Sequence, residues 1–214
     1  MKFDLKLLES DSKIIKNILS SLKPMVNTVF SKAKISIIKD IKPIIKQAIE
    51  SQPEYQSLIS GQLKYELGIP DKNIVDSVVD IWVNNINIEN KTIKISGNSL
   101  SGGFKISMIQ SDYSDVLSSS ASSVTDNNTG SVVPWLEWLL IRGGDILVAD
   151  YEVKLGPNPR SRTGMAVMVS STENYRIDAK FAGTEQNNWV YRAISKIDES
   201  TIQNIIQNSL EKNL

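Results

Sequence analysis

Apolar positions recur at three- and four-residue spacing over the first fifty residues. Ile14, Ile15, Ile18, Leu19 and Leu22 open a stripe, and Val26, Val29, Phe30, Ala33, Ile37, Ile41, Ile44, Ile45, Ala48 and Ile49 continue it. The spacing predicts long helical structure, broken or restarted at Pro24 and kinked at Pro43, because proline lacks the N–H donor. Isoleucine is a mediocre helix former, so this helix must draw its stability from packing. Ser51-Gln52-Pro53 ends the run. A second helix starts near Pro53, with Tyr55, Leu58, Ile59, Leu63 and Leu67 on its stripe and Gly68 as a closing cap. Pro70-Asp71 opens a third segment, in which Ile74, Val75, Val78, Val79 and Trp82 suit one helical face. Its β-branched content leaves a strand as the alternative near its end.

From Asn85 the period becomes two. Ile86, Ile88, Ile93 and Ile95 alternate with polar residues, with a turn expected at Glu89-Asn90-Lys91. Gly97-Asn98 and Gly102-Gly103 are further turn signals, and Phe104, Ile106 and Met108 give the next strand. Residues 111–133 are rich in Ser, Asn and Asp and have little to bury, so an extended loop is expected there. Pro134 starts a short helix that Gly143-Gly144 ends. Ile146 to Val153, Met165 to Val169 and Tyr175 to Phe181 read as strands. The closing helices take Trp189 to Ile197 and Glu199 to Leu210, with Asp198-Glu199 favourably placed against the last helix dipole.

These elements predict an α+β fold. Long N-terminal helices precede a central antiparallel sheet with a long extended loop at 111–133, and C-terminal helices close it. A single domain over 1–214 is expected, helical over 1–84, sheet over 85–183 and helical again over 184–214.

Composition narrows the chemistry. The 214 residues carry 24 basic and 24 acidic side chains, so bulk attraction to nucleic acid or lipid is not implied. The first fifty residues nevertheless hold ten lysines against five acidic residues. That segment could touch DNA or an acidic partner, or simply carry a solvated face. Cysteine and histidine are both absent, which excludes disulfides, thiolate metal sites and histidine-based triads or proton relays. No apolar run is long enough for a membrane span, and Asp4, Glu9 and Asp11 sit where a signal peptide needs an apolar core. No cofactor is expected.

Arg160 and Arg162 lie in a Gly/Pro-flanked loop. Such a loop suits carboxylates or phosphates on a partner, and equally suits two solvated arginines. Trp135 and Trp138 read as anchors of a short helix on a sheet. Trp189 and Tyr191 are two positions apart, so one can be core and the other exposed. Trp189, Tyr191 and Arg192 join Arg160 and Arg162 as candidate contacts with subunits or partners. Asp145, Asp150, Glu152 and Asp178 lie on or beside the expected strands. A paired-carboxylate hydrolase needs two of them close together in a pocket; otherwise they are strand-edge charges that discourage aggregation.

The chain resembles the head–tail joining proteins of tailed bacteriophages, the neck or tail-completion family. Four features carry the resemblance. They are the long amphipathic N-terminal helix, the run Tyr55-x-x-Leu58-x-x-Gly61-x-Leu63-x-x-x-Leu67-Gly68, the strand entry Arg160-Ser161-Arg162-Thr163-Gly164-Met165-Ala166, and Phe181-Ala182-Gly183-Thr184 followed by Asn188-Trp189-x-x-Arg192-Ala193. The loop at 111–133 and the segment Gln186-Asn187-Asn188-Trp189 depart from the family pattern. The resemblance implies a non-enzymatic virion protein, made in the host cytoplasm. It would form a ring, six-fold in that family, between the head connector and the tail tube or tail terminator, with passing DNA as a further possible contact. A tail terminator capping the tube is the alternative within the structural class. A DNA-contacting protein using the basic helix and the arginine loop is the alternative outside it.

Overall fold

The computed structural model describes residues 9–108, 113–125 and 130–214. The fold is α+β. Strands occur among the described residues as three separate two-stranded antiparallel ribbons rather than one central sheet. The chain divides into two compact units, each assembled from segments distant in sequence. Unit 1 comprises Met1–Ile41, Asn87–Ser107 and Ser200–Leu214; unit 2 comprises Lys42–Ile86 and Met108–Glu199.

Helix α1 spans Asp11–Glu50 and contributes to both units. It runs through Pro24 and Pro43, against the break expected at Pro24. Both prolines are exposed, and each removes only one backbone donor. The buried row Val29, Ala33, Ile37, Ile41, Ile45 and Ile49 continues past Pro43 and repays that loss. Positions four apart advance by about 400°, so this row turns around the helix by about 40° per step.

In unit 1, strands β1 (Asn87–Ser96) and β2 (Ser99–Ser107) form one hairpin. Its two-residue turn is Gly97-Asn98, with Gly97 at φ +57°. The turn expected at Glu89-Asn90-Lys91 is instead strand, and the irregularity there is a register shift between Lys91 and Lys94. A shift of this kind keeps Ile88 and Ile93 both buried, although their odd spacing would otherwise place them on opposite faces. Phe104 stacks on Phe30 of α1 at 4.8 Å between ring centroids. Gly102 leaves room for Ile93 on the paired strand, since a Cβ there would lie 3.0 Å from the Ile93 side chain. Helix α8 (Glu199–Glu211) completes the unit and buries Ser209.

Unit 2 holds the larger core. The expected second helix is two, α2 (Pro53–Ser60) and α3 (Gln62–Glu66), separated at Gly61. Helix α4 (Lys72–Asn84) is capped by Asp71, whose side chain accepts from the Asn73 N–H at 3.0 Å. It is helical throughout, so the strand alternative falls. Its buried row Val75, Val78, Val79, Trp82 and Val83 has helical period, and packing outweighs β-branched propensity.

The described part of 111–133 is not an extended loop. It contains α5 (Ser114–Leu117), a 3-10 turn at Ser120–Ser122, and the short ribbon β3 (Val124–Thr125) with β4 (Val132–Val133). Val116 and Val124 supply the burial that a serine-rich composition conceals. The Trp135 indole then ties the segment down, donating to the Ala121 carbonyl at 2.9 Å.

Helix α6 (Trp135–Leu140) leads to the ribbon β5 (Tyr151–Leu155) with β6 (Ala166–Ser170). Residues Tyr175 to Phe181 do not form the expected strand. Tyr175 makes one isolated bridge with Val148, and the Asp178 carbonyl then accepts from the N–H groups of Phe181 and Ala182, closing a turn. Helix α7 (Trp189–Ser195) starts at the cap Asn188, whose Oδ1 accepts from the Tyr191 N–H. The Asn188 amide donates to the Tyr113 hydroxyl at 2.6 Å, and that hydroxyl donates to the Glu185 carbonyl at 2.7 Å. Trp189 meets Trp82 edge to face, with centroids 5.4 Å apart.

Candidate interaction surface

The β5–β6 ribbon pairs Tyr151 with Ser170, Val153 with Met168 and Leu155 with Ala166. Side chains alternate across a strand, so these six share one face. The face is almost wholly apolar and is only partly covered. Tyr151 is 39%, Leu155 55% and Met168 37% exposed, while Ala166 is buried. Met165 at the strand entry and Val132 on β4 are exposed as well. The opposite face pairs Glu152 with Val169 and Lys154 with Val167; Glu152 and Lys154 lie 3.3 Å apart, and the two valines are half-buried.

Val153, Ala166 and Met168 form the floor of a cleft of about 320 Å³. One wall is the end of α3 and the residues after it, Tyr65 to Gly68; Ser131 and Val133 form another. The rim is the loop between β5 and β6, with Arg160, Ser161, Arg162 and Thr163.

That loop is held by its own hydrogen bonds. The Gly156 N–H donates to the Met165 carbonyl, the Asn158 N–H to Gly164, and the Ser161 N–H to Asn158. The Asn158 side chain accepts from the Arg160 N–H, and the Ser161 hydroxyl accepts from the Ala166 N–H. Arg160 is therefore presented on an ordered turn, exposed at the cleft mouth. Arg162 is half-buried and lies over Gly68. Gly68 sits at φ +68°, and a Cβ there would come within 2.9 Å of the guanidinium, so glycine serves both the turn and the close approach. The sequence role of Gly68 as a helix end thus holds, with a second role in seating Arg162.

A polar chain runs along the α3 wall. The Gln62 amide donates to Glu66 at 2.6 Å, Lys180 donates to the Gln62 carbonyl oxygen at 2.8 Å, and Lys180 pairs with Asp178 at 3.0 Å. Burial pushes the Glu66 carboxyl above the ordinary glutamate range. Asp178 adds to that, while the Gln62 bond and Lys180 oppose it. The buried Tyr175 phenol is also pushed up, chiefly by burial and further by the negative charge of Glu66.

The five residues singled out from the sequence fall into two places. Arg160 and Arg162 share the cleft rim. Trp189, Tyr191 and Arg192 lie on α7. Trp189 is fully buried in its own unit, so it is a core residue and not a contact residue. Arg192 is engaged inside the unit, donating to the buried Glu54 and to Asn187. Tyr191 is 56% exposed and keeps its place as a contact candidate. Trp135 is fully buried, as a helix anchor should be; Trp138 is half-buried against Tyr175.

Three of the four carboxylates weighed for hydrolysis are ion-paired. Asp145 pairs with Arg142, Glu152 with Lys154 and Asp178 with Lys180, each at an exposed position or beside one. Sequence reasoning missed the apolar ribbon face. The signal was present in the alternation Tyr151-x-Val153-x-Leu155, which places no polar residue on one side of a strand. Among the described residues, no helix is long and apolar enough to cross a membrane. The chain matches no protein-family model, no curated protein and no solved structure.

Proposed function

We propose that this chain is a structural protein of a tailed-phage virion, a ring-forming neck or tail-completion subunit that joins the head connector to the tail. The observation that carries this reading is the clustering of exposed apolar side chains on and beside the β5–β6 ribbon. Tyr151, Leu155, Met165 and Met168 lie there, four of the seven exposed large apolar residues described in unit 2. A contiguous apolar surface with a cationic rim marks a protein contact rather than a solvated face. Both outer edges of a two-stranded ribbon also offer unpaired backbone groups, which suit strand addition by a neighbour. The position in the particle is taken from the sequence resemblance alone, whose Arg160–Ala166 and Phe181–Ala193 runs lie in the same unit as this surface. Within the structural class, a tail terminator would use the same surface at a different level of the particle axis.

Deletion of the gene in its phage tests the reading. A neck protein predicts filled heads and finished tails that remain separate, restored to joined particles by the gene in trans. Normal joined particles from the deletion would remove the reading. Joined but overlong tails would move the protein to the terminator position.

A further inference from the structure

Basic and acidic side chains cancel over the whole chain, but the fold does not share them evenly. Unit 1 gathers twelve lysines and six acidic residues, a net charge of +6; unit 2 holds twelve basic and eighteen acidic residues, a net −6. Six cations of unit 2 are ion-paired inside it: Lys46, Lys72, Arg142, Lys154, Lys180 and Arg192. The ion pair described in unit 1 is Lys13 with Glu9.

The β1–β2 hairpin sets three of the remaining lysines in a row. At the register shift, Thr92 and Ile93 of β1 stand against Gly102 alone. The shift that keeps Ile88 and Ile93 inward therefore turns both Lys91 and Lys94 outward. Lys105, paired with Glu89, shares that outward face. Lys105, Lys91 and Lys94 stand level with residues 105, 103 and 101 of β2, so successive lysines are about 6.8 Å apart along the hairpin. All three are exposed, and none makes an ion pair among the described residues. No paired position on this face is apolar; Ser96, Ser99, Ser101 and Ser107 fill most of the rest, and Glu89 is its one anion.

We propose that this hairpin face is a nucleic-acid contact that holds the phosphate backbone without reading sequence. The contact stands independently of the ring reading. A step of about 6.8 Å spans two phosphates of one DNA strand, which lie about 3.4 Å apart along the axis, so the three ammonium groups can follow one strand. Every side-chain cation of unit 1 is a lysine, a mobile point charge suited to phosphate; arginine, whose planar fork reads guanine, is absent from the unit. The serines between the lysines add hydroxyl donors of the kind phosphate oxygens accept. An acidic protein partner is disfavoured, because protein contacts centre on apolar, aromatic and arginine side chains and are depleted in lysine. A lipid surface is disfavoured because the face has no apolar side chain to enter the acyl boundary.

Fluorescence anisotropy of the full chain with two labelled DNA duplexes of unrelated sequence tests this. Both duplexes should bind alike, with log affinity falling linearly with log salt. The triple variant Lys91→Gln, Lys94→Gln, Lys105→Gln should flatten that slope by about 2.7, so that it loses about 40-fold less affinity than wild type between about 50 and 200 mM salt. Lys72→Gln, Lys154→Gln and Arg176→Gln together remove three exposed cations from unit 2 and should leave the slope unchanged. Glu89→Gln probes the same face without removing a cation and should tighten binding; unchanged or weaker binding overturns the contact. So does wild type that binds neither duplex at low salt, a strong preference for one duplex, a slope the hairpin triple does not alter, or an equal loss in the unit 2 triple. Salt-sensitive self-association without DNA binding, released by the hairpin triple, overturns it in favour of the acidic surface of another copy. Capture on phosphatidylglycerol vesicles without duplex binding overturns it in favour of lipid.

Discussion

Arg192 on α7 donates to the carboxylate of Glu54 on α2, joining two elements 138 residues apart in sequence. The Glu54 side chain is only 2% exposed, whereas that of Arg192 is 27% exposed. Removing the cation leaves a buried charge without compensation, which costs about 3–5 kcal/mol. Arg192→Ala should therefore lose stability of that order in chemical denaturation. Glu54→Gln in the Arg192→Ala background should recover part of it, since an amide is cheaper to bury than a charge. An Arg192→Ala chain as stable as wild type would show that the pair does not hold α7 in place.

Gly143 and Gly183 pass each other closely, with the Gly143 N–H donating to the Gly183 carbonyl at 3.1 Å. A Cβ on Gly183 would strike the Leu139 carbonyl and lie 2.8 Å from the Asn188 Cβ. Gly183→Ala should destabilise by about 1–3 kcal/mol, as overpacking does. Gly144→Ala, where a Cβ meets nothing within 4 Å, is the control and should change little. Thermal melts of the two variants side by side decide this.

Glu66 gives a pH dependence with a definite sign. Burial raises its pKa, so the folded chain holds this proton more tightly than the unfolded chain. The associated stability is present below the ordinary glutamate value and is lost as pH rises through the raised value. Glu66→Gln should flatten the stability profile over that window and be more stable than wild type above it. Denaturation at a series of pH values checks this; identical slopes for both chains would contradict it.

Much of the helical framework was legible. The segment start at Pro70-Asp71, the α4 stripe and the closing helices follow from spacing and end signals that act locally. The β-ribbons were legible less well, because their partners are set by packing. Ile88 and Ile93 end up buried together only through a register shift, which no pattern of period two announces. The serine-rich segment hid its order behind two valines and one tryptophan hydrogen bond made across the unit. At the candidate surface, Arg160 and Arg162 were found from their loop. The apolar face beside them needed the β5–β6 register to show that Tyr151, Val153, Leu155, Ala166 and Met168 look the same way.

That face should tolerate charge in the isolated chain. Leu155→Asp and Met168→Asp alter exposed positions, so stability should stay within about 0.5 kcal/mol of wild type. Assembly should fail, and complementation of the gene deletion by either variant should yield separate heads and tails. Full complementation by both would show that the ribbon face makes no essential contact.

Cryo-electron microscopy of the intact particle, with the chain fused to a compact density tag, tests the central claim most directly. The account predicts tag density in a closed ring on the particle axis, between the head connector and the tail. Tag density elsewhere in the particle, or particles that lack the chain altogether, would contradict it.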